Sequence, residues 1–465
     1  MRLPGRLAAA IEVLETLERE RRPVAHVLQE WGRTHRFAGS GDRSAIGNLV
    51  HDALRHRQSL AAAMDDESPR AAILAAAVFL PGYAEKGLPD FEGDQFAPEP
   101  LTEKEREALF PSGREADGPP QSAVSPHNNA DRPHPFADGL PPFGKNIDNC
   151  PDWLRPSMER VFGEDTVTQV GAMAARAPVD LRLNPFRTRE ERADKSIARH
   201  KAQRDPAFPL LRRIPPTEGF ARAPHVTSDE GFLKGFVEIQ DAGSQIAAEL
   251  AVAGIKPRTV LDMCAGAGGK SLALSIFMGG KGQVFAYDID RHRMKDLWPR
   301  VKRSSLHNIQ VIEPGKLGSH ELAKNGADCV VIDAPCTGTG TWRRHPDTKW
   351  RLSESTLTAR MDDQKTILDQ AANIVKPGGR LAYITCSLLA EENEDQLAPF
   401  LKNHDDFTPQ SAAAMMESLG RDEVPGYLPS IALEGFEAGA LGLRLTPEIS
   451  GTDGFFIACL TRDAA

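Results

Sequence analysis

With 465 residues, 40% of them apolar and 26% charged, the chain is too long for one ordinary core and globular in composition, so two or three domains are expected. A net charge of −9 excludes a protein basic throughout and confines any nucleic-acid binding to local patches. Six cysteines (Cys150, Cys264, Cys329, Cys336, Cys386, Cys459) occur without a Cys-x-x-Cys pair, which disfavours a zinc site or a disulfide scaffold and fits reduced thiols.

Residues 1–10 are apolar only briefly before Glu12, Glu15 and the charge run Glu18 to Arg22, so no signal peptide is expected, and no later apolar run has membrane length. The expectation is a soluble cytoplasmic protein with no metal and no membrane contact. Residues 1–85 read as helical. Leu7, Ile11, Leu14 and Leu17 share one face, Val24, Val27, Leu28 and Trp31 a second, and Ile46, Leu49, Val50 and Leu54 a third. Arg33, Arg36, Arg43, Arg55 and Arg57 are either solvated faces of a bundle or an RNA-binding surface. From Leu88 to Asn149 the composition turns to Pro, Gly, Asp, Ser and Asn, which predicts a flexible Pro/Gly-rich linker over 86–150, interrupted by one short helix within Leu101 to Leu109.

A helical stretch opening at Asp152-Trp153-Leu154, an alternating strand Val179 to Asn184, a basic helix over Thr188 to Gln203 and a strand Phe236 to Ile239 predict a small α+β subdomain, 151–235. From 236 to 465 strands and helices alternate. Strands are expected at Thr259–Met263, Gln283–Asp288, Ile309–Glu313, Asp328–Asp333 and Arg380–Thr385; helices at Lys270–Met278, Arg291–Ser304 and Ser355–Val375. This is an α/β pattern, a mostly parallel sheet with helices on both faces. The last segments, Leu443 to Leu445 and Phe455 to Leu460, form a hairpin that adds an antiparallel strand.

Chemistry concentrates where strands end. Leu261 to Ser271 reads Leu-Asp-Met-Cys-Ala-Gly-Ala-Gly-Gly-Lys-Ser, a glycine turn between the first strand and its helix, suited to a ligand on helix N–H groups. Three ligands compete. A dinucleotide fingerprint lacks its third glycine, since Ser271 stands there. A phosphate loop fits Gly269-Lys270-Ser271 but would need glycine at Cys264; with Val330-Val-Ile-Asp333 as a magnesium strand, it would make the chain a nucleotide hydrolase. S-adenosylmethionine needs a ribose-binding acid ending the second strand, and Asp288 occupies that place. Thiols at two strand ends, Cys336 after Asp333-Ala-Pro and Cys386 after Thr385, favour the third. Carbon 5 of cytosine is a poor nucleophile until a thiolate adds to carbon 6. Cys264, Cys329 and Cys459 read as structural. The start of a helix after Cys386 would favour thiolate, with Glu391 and Glu392 opposing.

Residues 236–460 resemble the catalytic domain of the Nol/Nop/Sun family of RNA cytosine-5 methyltransferases. The carrying motifs are Gln240-Asp241, Asp262 to Lys270, Asp288-Ile-Asp-Arg-His-Arg293, Asp333-Ala-Pro-Cys336, Arg344-His-Pro-Asp-Thr-Lys-Trp350, Thr385-Cys-Ser387, Glu391-Glu-Asn393 and Gly451 to Phe456. Residues 1–85 and the basic subdomain resemble the bacterial 16S ribosomal RNA branch, with its all-α NusB-like RNA-binding domain. The resemblance implies a Rossmann-like S-adenosylmethionine-dependent methyltransferase that acts as a monomer on RNA. It makes Cys386 the nucleophile and Cys336 the thiol that assists product release, with Asp333 and Lys270 steadying the cytosine. Cofactor contacts fall on Cys264, Ala265, Gly266, Ala267, Gly268, Gly269, Lys270, Asp288, Arg293, Glu313 and Asp333. The family's usual Ala-Pro is Gly266-Ala267 here, and Glu313, in Ile312-Glu-Pro-Gly-Lys316, replaces an acid normally in a Gly-Asp-Gly-Arg context. The basic residues Arg291, Arg293, Lys295, Arg300, Lys302 and Arg303, and Arg343, Arg344, Lys349 and Arg351 beside Trp342 and Trp350, are either a surface that meets phosphates and stacks on an unpaired base or, residue by residue, a solvated charged face. The target base must be flipped out or single-stranded. A catalytically inactive RNA-binding ribosome-assembly factor is the remaining alternative.

Overall fold

The computed structural model describes residues 1–84, 87–89, 91–110 and 149–464. The chain opens on helices α1 (Leu3–Glu20), α2 (Val24–Thr34), α3 (Ser40–Arg55), α4 (Arg57–Met64), α5 (Pro69–Phe79) and α6 (Glu103–Leu109). Helical spacing puts Leu7, Leu14 and Leu17 of α1 on one stripe, which meets Val27 and Trp31 of α2, Ile46, Leu49 and Val50 of α3, and Ile73 and Leu74 of α5 in a single core. Each fully buried aliphatic side chain there contributes about 1.5–3 kcal/mol. Leu88, Phe91, Ala97, Leu101 and Leu109 pack on the same core, so this stretch belongs to the helical body although its composition reads as linker. Its helix, α6, is fixed by a reciprocal capping box between Thr102 and Glu105. Residues 111–148, the rest of the expected linker, lie outside the described residues.

A small antiparallel sheet follows, in the order β2-β3-β1-β4, from β1 (Val179–Leu183), β2 (Gln203–Asp205), β3 (Phe208–Ile214) and β4 (Val237–Ile239). The basic helix expected over Thr188 to Gln203 is only Glu190–Ser196 plus a turn. The chain then turns back as β2 and β3, because Arg212 on β3 is buried against Glu190 and Asp194 of that helix.

The large sheet runs β11-β12-β13-β9-β8-β5-β6-β7, with β10 also on β13. Its strands are β5 (Thr259–Asp262), β6 (Gln283–Ala286), β7 (Ile309–Val311), β8 (Ala327–Asp333), β9 (Val375–Thr385), β10 (Phe407–Pro409), β11 (Leu428–Pro429), β12 (Leu443–Leu445) and β13 (Phe455–Arg462). β9, β8, β5, β6 and β7 are mutually parallel, whereas β13 joins β9 antiparallel and pairs with β12 as the expected hairpin. The apolar strand residues point alternately into two cores. One holds Leu261, Val330, Ile332 and Tyr383, the other Val260, Val331, Ala382 and Ile384. Helices Ala242–Val252 and Gly269–Phe277 cover the second of these faces, and Glu354–Ala372 and Glu394–Asn403 the first. The segment Arg291–Ser304 begins as a 3₁₀ turn and is α-helical only over Leu297–Ser304. Among the described residues no helix is long and apolar enough to cross a membrane.

Candidate active site

β8 and β9 lie side by side in register, Asp333 opposite Ile384, so the loops leaving them start at one level of one sheet edge. That register brings the two thiols expected there together. The Cys336 and Cys386 sulfurs are 3.4 Å apart. The hydrogen bond with Cys386, then burial, pushes the Cys336 thiol well above its ordinary value, so Cys336 holds its proton beside the Cys386 sulfur. No helix starts at Cys386: the helix expected there begins at Glu394. Between them Ser387 and Asn393 turn their side chains onto local backbone and onto Thr385, which competes with helix formation. The nearby cation is instead Lys270, which interacts electrostatically with the Cys386 sulfur.

Glu392 holds the two loops against each other. Its carboxylate accepts the Thr337 N–H at 2.8 Å, the Thr337 hydroxyl, and the Gln364 amide at 3.0 Å, while the Tyr383 hydroxyl donates to its carbonyl at 2.7 Å. Thr339 binds both Ser387 and the Leu388 N–H. Of these residues only Glu392 and Ser387 carried a sequence signal, through the family motifs. Gln364, Tyr383, Thr337 and Thr339 sit in positions whose periodicity says only helix, strand or loop. Gly340 is dictated by packing, since its N–H donates to the Cys386 carbonyl and a Cβ on it would lie 2.2 Å from the Gly454 oxygen.

Lys270 lies at the start of the helix after β5, with Nζ 2.8 Å from Asp333 and 5.1 Å above the Phe455 ring. Burial works against its ammonium, but the Asp333 carboxylate outweighs it and holds Lys270 above its ordinary value. The turn from Cys264 to Gly269 is bound at its edges. Gly266 N–H donates to Asp288 at 3.0 Å, Ala265 N–H to the Tyr287 carbonyl, Arg300 to the Ala267 carbonyl, and Arg182 to the Gly269 carbonyl. Gly268, at φ 82°, reverses the chain into the helix, a conformation that favours glycine. Burial pushes the Cys264 thiol well up, and Cys329 and Cys459, buried against the Ala251 and Leu250 carbonyls, stay structural. Of the other expected contacts, Arg293 is half exposed beside Asp290, and Glu313 is exposed two residues beyond β7.

Asp262 ends β5 fully buried. Its Oδ2 accepts from Ser271 at 2.6 Å and its Oδ1 has no hydrogen-bond partner. Burial, with Asp333 and Asp288 adding their charges against the Ser271 bond, pushes it up to about 7. An acid whose folded pKa is raised binds its proton more tightly in the native state. Its stabilising contribution is therefore complete at acid pH and is lost as pH rises toward that value. Asp262→Asn is expected to flatten the fall in urea-unfolding stability between about pH 4 and about pH 7; parallel profiles for the two proteins would contradict this.

The cationic-aromatic segment after Cys336 is engaged mostly within the protein, neither as an open RNA surface nor as a solvated face. Arg343 and Arg344 both bind Asp453 and Asp241 in a four-charge cluster, and Asp241 also caps the helix Ala242–Val252. Trp342 and Lys349 are buried. The indole of Trp350 donates to the Leu54 carbonyl of α3, and Arg351 pairs with Asp347. Arg300 and Arg303 are likewise committed, to Glu238. Arg291, Arg293, Lys295 and Lys302 remain exposed, together with Trp298.

Residues 251–461 match the family described as 16S rRNA methyltransferase RsmB/F. Over 318 residues the chain is 31% identical to the ribosomal RNA small subunit methyltransferase B of Photorhabdus laumondii, covering 67% of this chain and 66% of that protein. Over 269 residues it is 32% identical to a probable ribosomal RNA small subunit methyltransferase B of Synechocystis, covering 55% and 57%. It thus spans less than two thirds of these relatives' length. The fold matches the crystal structure of PH0851 over 98% of both chains, at TM-score 0.67 and 22% identity. It also matches NSun6 from Pyrococcus horikoshii, crystallised with SFG, over 68% of this chain and 99% of that one, at TM-score 0.54 and 17% identity.

Proposed function

We propose that the chain, whose residues 251–461 match the 16S rRNA methyltransferase RsmB/F family, forms 5-methylcytosine in small-subunit ribosomal RNA through a Cys386 adduct. One observation carries this reading: two thiols from neighbouring strand ends meet at 3.4 Å beside a lysine–aspartate pair.

The chemistry follows from these groups. The Cys386 thiolate adds to carbon 6 of cytosine and moves the ring's electron pair to carbon 5, which becomes nucleophilic. Lys270 and Asp333 offer a donor and an acceptor, 2.8 Å apart, for the polar edge of the base. After carbon 5 has been alkylated, its proton passes to water, the carbon 5–carbon 6 double bond re-forms and the carbon 6–sulfur bond breaks. Cys336, which holds its proton against the Cys386 sulfur, is placed to protonate that leaving sulfur.

S-adenosylmethionine fits the turn between Cys264 and Lys270. Asp288 keeps lone pairs for ribose hydroxyls while steadying Gly266, the orphan acceptor of Asp262 suits a cationic donor, and the first-turn N–H groups suit a carboxylate. When bound it supplies a methyl group on a sulfonium. Arg293 and Glu313 are assigned to its outer, adenosine side. A nucleotide hydrolase is disfavoured, because Lys270 is tied to Asp333 and the Asp288 carboxylate sits against the turn at Gly266, where phosphates would be repelled. Calorimetry is expected to register S-adenosylmethionine binding and none of ATP with magnesium; the opposite result would favour the hydrolase. Bisulfite sequencing of small-subunit RNA incubated with the protein and S-adenosylmethionine is expected to find one resistant cytosine. RNA binding without any resistant cytosine would favour an inactive assembly factor.

A further inference from the structure

The loop that carries Cys336 is braced by the N-terminal helical body. The carboxyl end of α3 reaches across to it at a single junction. Arg55 donates twice to the Arg343 carbonyl, at 2.8 and 3.2 Å. The Leu54 carbonyl accepts the Trp350 indole N–H at 2.7 Å, and the Arg55 carbonyl accepts from Lys349 at 3.2 Å. The Lys349 ammonium also lies 5.5 Å from the Trp342 ring centre and 4.9 Å from that of Trp350, a desolvated cation–π sandwich. At the other side of the same segment, Asp347 accepts the Val24 N–H that opens α2, at 3.2 Å. Arg55 itself is oriented by Asp52, which also takes Arg176 and the Tyr83 hydroxyl.

We propose that the α3 terminus, through Arg55 and the Lys349–Trp350 clamp, is a positioning element for Cys336, so that the helical body controls release of the methylated product as well as any RNA contact. Six residues lie between Cys336 and Arg343, and Thr341 to Arg344 form one compact turn. A shift of the Arg343 carbonyl is therefore transmitted to the Cys336 thiol. Cys386 is held more firmly, because it hangs from β9, whose pairing with β8 and β13 does not involve the helical body, although its carbonyl takes the Gly340 N–H of the same loop. The proposal rests on the reading of Cys336 as the group that frees the product.

Arg55→Gln and Trp350→Phe in the full chain test it, the second variant removing the indole N–H together with its pyrrole ring. Both are expected to speed amide hydrogen exchange over 337–345 and leave 263–270 unchanged. They are also expected to lower multiple-turnover methylation roughly tenfold while the first turnover and S-adenosylmethionine affinity stay within about twofold. Protein–RNA adduct should then accumulate on denaturing gels, and Arg55→Lys should recover part of the turnover. Unchanged exchange over 337–345, or faster exchange with wild-type turnover and adduct levels, would overturn the proposal. A wild-type protein that makes neither methylcytosine nor adduct would sink the functional reading instead; the exchange result alone then decides whether the brace exists.

Discussion

Cys386→Ala is expected to lower methyl transfer to cytosine by on the order of ten-thousand-fold and to form no covalent complex with RNA, whereas Cys336→Ala is expected to leave a protein–RNA adduct that survives denaturation. The asymmetry follows from the site. Removal of the Cys386 sulfur leaves carbon 5 of the base without the electron density that methylation needs, and no neighbouring group replaces it: Lys270 is bound to Asp333 and Cys336 holds its proton. Removal of the Cys336 sulfur leaves the addition intact and takes away the thiol 3.4 Å from the leaving sulfur, so the adduct outlives its formation. Quantifying 5-methylcytosine by mass spectrometry, with denaturing gels of the same reactions, checks both halves. An adduct with Cys386→Ala and none with Cys336→Ala would exchange the two roles.

Asp453→Ala is expected to cost about 3–5 kcal/mol of stability, because it strands two guanidiniums of which one is fully enclosed. Arg343 and Arg344 each use their Nε on Asp453 and reach Asp241 only with a second nitrogen. Asp453 is 2% exposed and Arg343 4%, so water does not replace the lost partner. The cluster also joins the Cys336 loop to β13, through the Gly454 N–H bound to the Gly340 carbonyl. Activity should therefore fall along with the urea midpoint. A midpoint equal to that of the wild type would show that the cluster carries no net stability.

The parts of the site legible in the sequence were those that local pattern dictates. An apolar run ending at Asp333 and another ending at Thr385 each announce a buried parallel strand emptying into a loop, so both thiols could be assigned to one sheet edge. The glycine turn and Asp288 were legible for the same reason, since spacing along a strand–turn–helix unit is a local property. The segment Trp342 to Arg351 was not. Indole and guanidinium groups in a row look the same whether they meet a nucleic acid or another part of the chain. Only the tertiary structure shows Lys349 enclosed and Trp350 bonded to α3. Strand β3 escaped notice because Pro209, Arg212 and Arg213 break its apolar alternation, and its buried arginine is compensated by acids twenty residues away in sequence. Glu392 was legible only as part of a motif. Its role as the tie between two loops depends on Thr337 and Gln364, which no periodicity singles out.

The central claim, that the sulfur of Cys386 bonds to carbon 6 of the target base, is tested most directly with RNA carrying 5-fluorocytidine. Fluorine at carbon 5 cannot leave as a proton does, so the adduct is trapped after methylation, and the linked peptide can be sequenced by mass spectrometry. The nucleotide is expected on Cys386, with one methyl group added. A nucleotide on Cys336, or methylation of unmodified cytosine by a protein that forms no such link, would contradict the account.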